Sequence, residues 1–269
     1  MQKVKMSGLS TPAPYVGGKR NLASLIIDII GKIPHQTYVE PFVGMAGVFL
    51  RRPTPARCEV INDLNGEVAN LFRVLQRHFV ALTDMLRWQV TSREHFERLR
   101  DTAPESLTDL ERAVRLLYVQ RIAYGGKVRG QTFNYAQRTA RFDVTKLLPA
   151  LDDIHHRLAS VTIECLPYGR LIERYDGPGV LFYLDPPYWG SEDYYAAAFD
   201  RAEFGRLADQ LASLRGTFVL SINDRPETRE VFAAFNLMEV EAAYGLDSRY
   251  AERAPRGELL VSNTPLKRG

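Results

Sequence analysis

Short apolar runs recur at both ends of the 269-residue chain, and turn residues bound most of them. Runs of this length, rich in branched and aromatic side chains, predict buried β-strands. Seven segments fit this description: residues 38–43, 58–61, 161–164, 180–184, 217–222, 237–243 and 258–262. Helical patterns separate most of them, which predicts an α/β fold with a mixed seven-stranded sheet. The last two strands have no helical pattern between them and should form an antiparallel hairpin.

The middle of the chain carries a different pattern, because apolar positions there follow helical spacing almost throughout. Helices are expected at residues 68–79, 82–90, 93–100, 110–124 and 144–158. We therefore expect residues 1–66 and 159–269 to form one α/β domain, interrupted by a helical insertion at residues 67–158. Two further helices are expected near the N-terminus, at residues 22–30 with a stop at Gly31, and at residues 48–51.

Composition narrows the class of protein only a little. Hydrophobic and charged contents of 45% and 25% are ordinary for a globular domain, and the net charge is +3. No segment approaches the ~20 apolar residues of a membrane span, and no secretory signal is recognisable, so a cytoplasmic protein is expected. The five histidines and two cysteines lack metal-ligand spacing, so no metal is expected. Cys58 and Cys165 lie in strand-like runs and are expected to be buried.

The charge distribution is more informative than the net charge. Between Arg112 and Lys146 the chain has eight Lys or Arg residues against one acid, Asp143, with aromatic residues and a glycine-rich loop interleaved. Basic side chains among aromatic rings suit a phosphate backbone and base edges. For Arg112 and Arg115 a solvated helix face is the favoured interpretation. The expected nucleic-acid contacts are Arg121, Tyr124, Lys127, Arg129, Arg138 and Arg141.

A glycine turn follows the first predicted strand. Phe42 lies near the strand's end, and Gly44 and Gly47 allow a ligand to approach the backbone closely. The turn lacks the full glycine spacing of a dinucleotide-binding loop. The second strand, however, ends at Asp63, 19 residues after Gly44, where an acid can accept hydrogen bonds from ribose hydroxyls. Asp63 could equally cap the next helix, but its pairing with the turn favours a nucleoside ligand.

The fourth strand runs directly into Asp185-Pro186-Pro187-Tyr188. Two prolines fix the backbone and cannot continue a β-ladder, so they form a stiff turn with an acid before it and a ring after it. In open α/β sheets ligands bind outside the carboxyl ends of the strands. We therefore expect this turn to hold an acceptor and a stacking surface at a binding site.

Together these motifs resemble the Dam-type DNA adenine-N6 methyltransferases, in the same order along the chain. The matching segments are Tyr15-Val16-Gly17-Gly18-Lys19, residues 40–47, Asn62-Asp63 and Asp185-Pro186-Pro187-Tyr188, followed by residues 221–224 and 258–260. The resemblance implies a Rossmann-like class I methyltransferase fold and S-adenosylmethionine as cofactor. It implies that Tyr15 and Lys19 contact the cofactor, that Asp63 holds its ribose, and that Asp185 lies beside its methionine end and the target amine.

The resemblance also concerns DNA reading. Residues 118–121 and Phe133-Asn134-Tyr135 resemble the segments that flank the family's DNA-reading hairpin, which adds Asn134 to the expected contacts. The loop between them looks shorter, and Gly125 replaces the asparagine expected before Gly126, so the target sequence is not predicted. The expected partner is double-stranded DNA, and the expected state is a monomer.

The chemistry follows from the target group. The amine at adenine N6 is a poor nucleophile, because its lone pair is delocalised into the ring. The Asp185 carboxylate and the Pro186 carbonyl could accept its hydrogens, with Pro187 stiffening the turn, and thereby stabilise the developing charge. The base must leave the duplex to be reached, and stacking on Tyr188 would be worth roughly 1–3 kcal/mol.

Other functions share some of these features. The same turn could act on cytosine N4, on RNA adenine or on a protein glutamine, although the basic insertion favours duplex DNA. A non-catalytic DNA-binding module is disfavoured because both the cofactor motif and the catalytic motif are intact. Plain NAD chemistry is the weakest alternative, given the missing glycine spacing.

Overall fold

The computed structural model describes residues 8–15, 19, 22–124, 130–134, 142–190, 199–241 and 257–267. Its described residues form one seven-stranded sheet in the order β3-β2-β1-β4-β5-β7-β6. The strands are β1 (Thr37–Glu40), β2 (Cys58–Asn62), β3 (Thr162–Glu164), β4 (Val180–Leu184), β5 (Thr217–Asn223), β6 (Asn236–Glu241) and β7 (Gly257–Ser262). The mixed seven-stranded sheet predicted from the apolar runs is thus confirmed.

The first five strands are parallel, and β7 is antiparallel to both of its neighbours. The terminal hairpin of β6 and β7 is therefore confirmed, with β7 inserted between β5 and β6. From β1 the chain proceeds outward through β2 and β3, then returns to place β4 on the other side of β1. Such a reversal of strand order opens a crevice at the carboxyl ends of the strands. Pro41, Asp63 and Asp185, which directly follow β1, β2 and β4, lie at this edge.

Nine α-helices surround the sheet within the described ranges. They are α1 (Ala23–Lys32), α2 (Gly66–Arg77), α3 (Phe79–Arg87), α4 (Arg93–Asp101), α5 (Asp109–Ile122), α6 (Val144–Leu158), α7 (Tyr168–Tyr175), α8 (Arg201–Ala212) and α9 (Pro226–Val231). Side-chain caps begin several of them: Asn65 accepts from the backbone of α2, and Thr108 and Glu111 form a capping box on α5. No helix among these residues is long and apolar enough to cross a membrane.

The two faces of the sheet bury different layers. Tyr38, Leu181 and Val219 point to the face covered by α1 and by the inserted helices α2, α5 and α6, with which they form one continuous apolar cluster. The alternate residues, including Val39 and Phe182, pack against α7, α8 and α9 on the other face. The helical insertion therefore shares a core with the sheet.

Three sequence expectations were wrong. The helix expected to stop at Gly31 continues to Lys32, so this glycine lies inside α1. The helix expected at residues 48–51 is a single 3₁₀ turn, Phe49–Arg51, because the preceding residues form turns. Cys58 is exposed, since it is the first residue of β2 at the outer end of the strand, and Cys165 is only half-buried.

Candidate active site

A cavity of about 1000 Å³ opens at the carboxyl edge of β1, β2 and β4. Its walls include residues from the N-terminal arm (residues 8–19), from the turn after β1, and from the ends of β2 and β4. The predicted site residues on its surface are Tyr15, Lys19, Phe42, Gly44, Gly47, Asp63, Arg121, Asp185 and Pro187. Tyr15 and Pro187, which are 172 positions apart in sequence, thus line one space.

The turn after β1 depends on Gly44. Its φ is +49°, a left-handed conformation that favours glycine, and a Cβ atom there would lie 3.2 Å from the ring of Tyr15. The Gly44 amide donates a hydrogen bond of 2.9 Å to Asp63 Oδ2. The absence of a side chain therefore lets the arm pack on the turn while the turn is tied to the end of β2.

Asp63 is held by backbone rather than by charges. Its Oδ1 accepts from the Asn65 amide at 2.9 Å, and its Oδ2 accepts from Gly44. Burial raises the pKa of Asp63 to about 6, and the two backbone hydrogen bonds oppose that rise. The alternative role as helix cap falls to Asn65, whose side chain accepts from Glu67 at the start of α2. Asp63 instead lines the cavity.

One end of the cavity is aromatic. The Phe42 ring lies 5.4 Å from the ring of Tyr168 and 6.0 Å from that of Phe199, centroid to centroid. Buried Asn62 holds this wall in place, because its amide donates to the carbonyls of Pro41 and Leu166 at 2.8 and 3.0 Å. The loops after β1 and β3 are thereby joined beside a flat apolar surface.

The two carboxylate oxygens of Asp185, in the proline turn after β4, differ in their contacts. Its Oδ1 pairs with Lys19 Nζ at 2.9 Å and accepts from Ser221 Oγ at 3.2 Å. Among the described residues Oδ2 has no hydrogen bond or ion pair, and the carboxylate lines the cavity. Burial raises the pKa of Asp185 to about 6, with the Lys19 ammonium acting against it. Pro186 is buried and Pro187 lines the cavity, so the turn is fixed on one side and open on the other.

Lys19 and Tyr188 meet beside Asp185. The Lys19 ammonium lies 4.2 Å from the centroid of the Tyr188 ring and also donates to its hydroxyl. That hydroxyl donates in turn to Glu258 on β7, and Lys19 Nζ lies 3.4 Å from the second oxygen of Glu258. The structure thus brings an arm residue, the proline turn and β7 into one polar network.

Sequence reasoning assigned no role to three residues of this region. Glu258 and Ser221 belong to segments that matched the methyltransferase motifs, and that match was the only signal. Glu40 ends β1 and is fully buried; its Oε1 accepts from Tyr38 at 2.6 Å. Burial raises the pKa of Glu40 to about 8. A buried carboxyl with a raised pKa at the wall of the cavity could not be recognised without the packing around it.

The residues expected to bind DNA are only partly described. Ala123 and Phe133 form an antiparallel bridge, and the Asn134 amide donates to Ile122, so the two flanking segments do form the base of a hairpin. Tyr124 is 50% exposed at this base. Lys127, Arg129, Arg138 and Arg141 lie outside the described residues.

Arg121 has a structural contact. Its guanidinium donates to the carbonyl of Pro12 in the arm at 2.7 Å, and burial lowers its pKa. Contact of Arg121 with DNA stays a prediction. Within the part of the chain that the structure describes, no group of three or more His, Cys, Asp or Glu side chains is arranged to bind a metal ion.

A mixed seven-stranded sheet with a ligand cavity at the reversal of strand order defines the class I methyltransferase fold. The model of one methyltransferase family, described as D12 class N6 adenine-specific DNA methyltransferase, matches residues 15–246. The chain belongs to this family. It is an enzyme that methylates adenine N6 in DNA, which decides between the target amines left open by the sequence.

Individual relatives cover nearly the whole chain. Type II methyltransferase M1.LlaDCHI of Lactococcus lactis subsp. cremoris is 26% identical and covers 98% of each chain. DNA adenine methylase of Vibrio cholerae is 27% identical over 93% of this chain and 95% of the relative, and that of Escherichia coli K12 is 25% identical over 93% and 94%. The solved structure of a precorrin-8w decarboxylase covers 98% of this chain and 100% of its own, with a TM-score of 0.41 and 11% identity, which is too remote to bear on function.

Proposed function

We propose that the methyl donor is S-adenosylmethionine and that the substrate is an adenine flipped out of double-stranded DNA. The observation that carries this proposal is the single cavity that extends from Asp63 and the aromatic wall to Asp185. Its volume of about 1000 Å³ is at the upper end of ordinary small-molecule sites. When bound, S-adenosylmethionine supplies a methyl group activated by a sulfonium.

The residues around the cavity fit the parts of this cofactor. Asp63 offers carboxylate oxygens for ribose hydroxyls, and Gly44 and Gly47 leave the turn open to close approach. Phe42 gives the adenine ring an apolar surface beside Tyr168. Tyr15 and Lys19 close the cavity from the arm. Glu40, a carboxyl within the same walls, suits the ammonium of the methionine part.

In the mechanism, Asp185 orients the target amine. Its Oδ1 is held by Lys19 and Ser221, so Oδ2 is left to accept a hydrogen from the amine. The Pro186 carbonyl accepts the second hydrogen, and Pro187 keeps that carbonyl in place. Lys19 and Ser221 hold the Asp185 carboxylate before reaction, and the two prolines stiffen the backbone at the Pro186 carbonyl, so both acceptors would stabilise the charge that develops on nitrogen with little reorganisation. Lys19 lies at the hydroxyl end of the Tyr188 ring, and the face of this ring is the surface proposed to stack the flipped base.

DNA binding is assigned to the insertion. In this proposal residues 67–158 form the target-recognition domain on a catalytic domain made of residues 1–66 and 159–269. Arg121, Tyr124, Asn134 and the basic residues of the loop follow the phosphate backbone and the base edges. One chain supplies every group proposed for the site, so we propose that the enzyme acts as a monomer. Light scattering of the enzyme bound to a short duplex tests that state.

The role of Asp185 is tested by Asp185→Ala. Methyl transfer to duplex DNA should fall by at least about 100-fold, as expected for the loss of a preorganised acceptor, while DNA binding changes little. Tritium transfer from labelled S-adenosylmethionine measures the rate, and gel shift measures binding. Retention of more than a few per cent of the wild-type rate would remove Asp185 from this role.

RNA and protein substrates in the same assay test the restriction to DNA.

A further inference from the structure

Glu258 is a buried carboxylate at the carboxyl edge of the sheet. It is the second residue of β7 and pairs with Asn223 at the end of β5, next to the strand that carries the proline turn. Only 2% of its side chain is exposed. Burying a carboxylate is costly unless charges or hydrogen bonds compensate it. The partners of Glu258 therefore indicate why an acid stands here.

Those partners belong to the active site. Among the described residues, the carboxylate of Glu258 contacts the Tyr188 hydroxyl with one oxygen and the Lys19 ammonium with the other. Glu59, another buried acid, has partners of a different kind. Glu59 pairs with Arg52 and Arg157, neither of which lines the cavity, and it joins β2 to α6. Glu59 is explained by packing, whereas Glu258 contacts Lys19, which lines the cavity, and Tyr188 in the proline turn, the ring proposed to stack the base.

The geometry places Lys19 between two carboxylates. Its ammonium is 2.9 Å from Asp185 Oδ1 and 3.4 Å from Glu258 Oε2, so its charge is shared. We infer that Glu258 is a positioning residue for methyl transfer. Its carboxylate anchors the Tyr188 ring and draws Lys19 partly away from Asp185, which keeps Asp185 a strong acceptor. This inference rests on the role proposed for Asp185.

The inference predicts that the pKa of Asp185 changes when the charge of Glu258 is removed. The titratable and polar groups around this carboxylate are Lys19 from the arm, Glu258 from β7, Ser221 from β5, Tyr183 on β4, Tyr188 in the turn and Glu40 at the end of β1. Lys19 lowers the pKa of Asp185, and the negative charge of Glu258 raises it. If the charge of Glu258 is removed, its repulsion of the Asp185 carboxylate is lost. Asp185 is then the only carboxylate that pairs with Lys19. Each of these two changes lowers the pKa of Asp185.

The test is Glu258→Gln, which preserves shape and a hydrogen-bond acceptor while removing the charge. We expect kcat to fall roughly tenfold or more, the size of one charge-assisted hydrogen bond, with little change in KM for S-adenosylmethionine. The acid limb of kcat/KM, which follows ionisation of Asp185, should move to lower pH. Glu239→Gln on β6 is the matched control, because it removes an exposed acid of the same sheet. It should leave kcat and the acid limb of the pH profile of kcat/KM unchanged.

Two results would overturn the inference. The first is an unchanged kcat in Glu258→Gln, and the second is a lowered kcat with the acid limb unmoved, which is what loosened packing alone would produce. Tyr188→Phe keeps the ring but removes the hydroxyl anchor, and it should lower kcat even if Glu258→Gln fails to fold. Full activity of Tyr188→Phe would contradict the anchoring role. If Asp185→Ala retains activity, the proposed function fails as well; if only the Glu258 and Tyr188 variants behave as wild type, the inference alone fails.

Discussion

Glu40 makes the stability of the protein depend on pH in an unusual direction. Burial raises the pKa of this carboxyl from its ordinary value of 4.5 to about 8. Between these two values the folded protein keeps a proton that the unfolded chain releases. Stability from this group is therefore fully present below pH 4.5 and is lost as the pH rises through 8. Glu40→Gln removes the titration and keeps an acceptor for the Tyr38 hydroxyl.

The size of the effect follows from the rise in pKa. At roughly 1.4 kcal/mol per pH unit, a rise from 4.5 to about 8 amounts to about 5 kcal/mol. Because other titrating groups are common to both proteins, the difference in unfolding free energy isolates Glu40. We expect Glu40→Gln and wild type to be similar near pH 4.5, and the variant to be more stable by about 3–6 kcal/mol at pH 9.

Urea denaturation at pH 5, 7 and 9, followed by circular dichroism, measures this difference. Glu239→Gln serves as the control, since its partner Arg229 and its side chain lie at the surface. A stability difference between Glu40→Gln and wild type that stays constant over this pH range would show that Glu40 does not hold a proton in the folded state. If the Glu40→Gln variant is less stable than wild type at pH 9, the predicted direction of the effect is wrong.

Two further predictions concern the cofactor contact proposed for the turn after β1 and the DNA contact proposed for Arg129. Gly44→Ala must place a side chain at φ +49° against the Tyr15 ring, so we expect about 1–2 kcal/mol of lost stability and weaker S-adenosylmethionine binding, measured by denaturation and calorimetry. An unchanged affinity for S-adenosylmethionine would show that the turn does not contribute to cofactor binding. Arg129→Ala should weaken DNA binding and reduce the slope of log affinity against log salt by about one, measured by titration at several salt concentrations. An unchanged slope would argue against a phosphate contact.

The strands were predictable because their signals are local. Residues 180–184 combine branched and aromatic side chains with a following proline pair, and β4 has the same bounds in the structure. The same applies to residues 144–158, where α6 begins after the capping residue Asp143. Gly31 shows the limit of such signals. Its position inside α1 is decided by packing of Ile29 and Ile30 in the core, which outweighs the modest helix cost of one glycine.

The arrangement of the site was less predictable, since its contacts join distant parts of the chain. Motif matching placed Lys19, Asp185 and Asp63 on one cavity, which the structure also does. It could not indicate that Lys19 lies between Asp185 and Glu258, because the pairing of Lys19 and Glu258 spans 239 positions and depends on β7 entering the sheet beside β5. Nor could it show that Glu40 is buried without a cationic partner within ion-pair distance among the described residues.

The N-terminal arm contacts both the helical insertion and the proline turn. Gln120 on α5 donates to the Pro14 carbonyl at 2.9 Å, and Arg121 donates to Pro12. Gln131, from the second flank of the hairpin, donates to the Gln120 side chain at 3.0 Å. The arm that these residues hold continues to Lys19, whose ammonium reaches Asp185. These contacts therefore connect the insertion proposed to bind DNA, through the arm and Lys19, with the carboxylate proposed to accept the target amine.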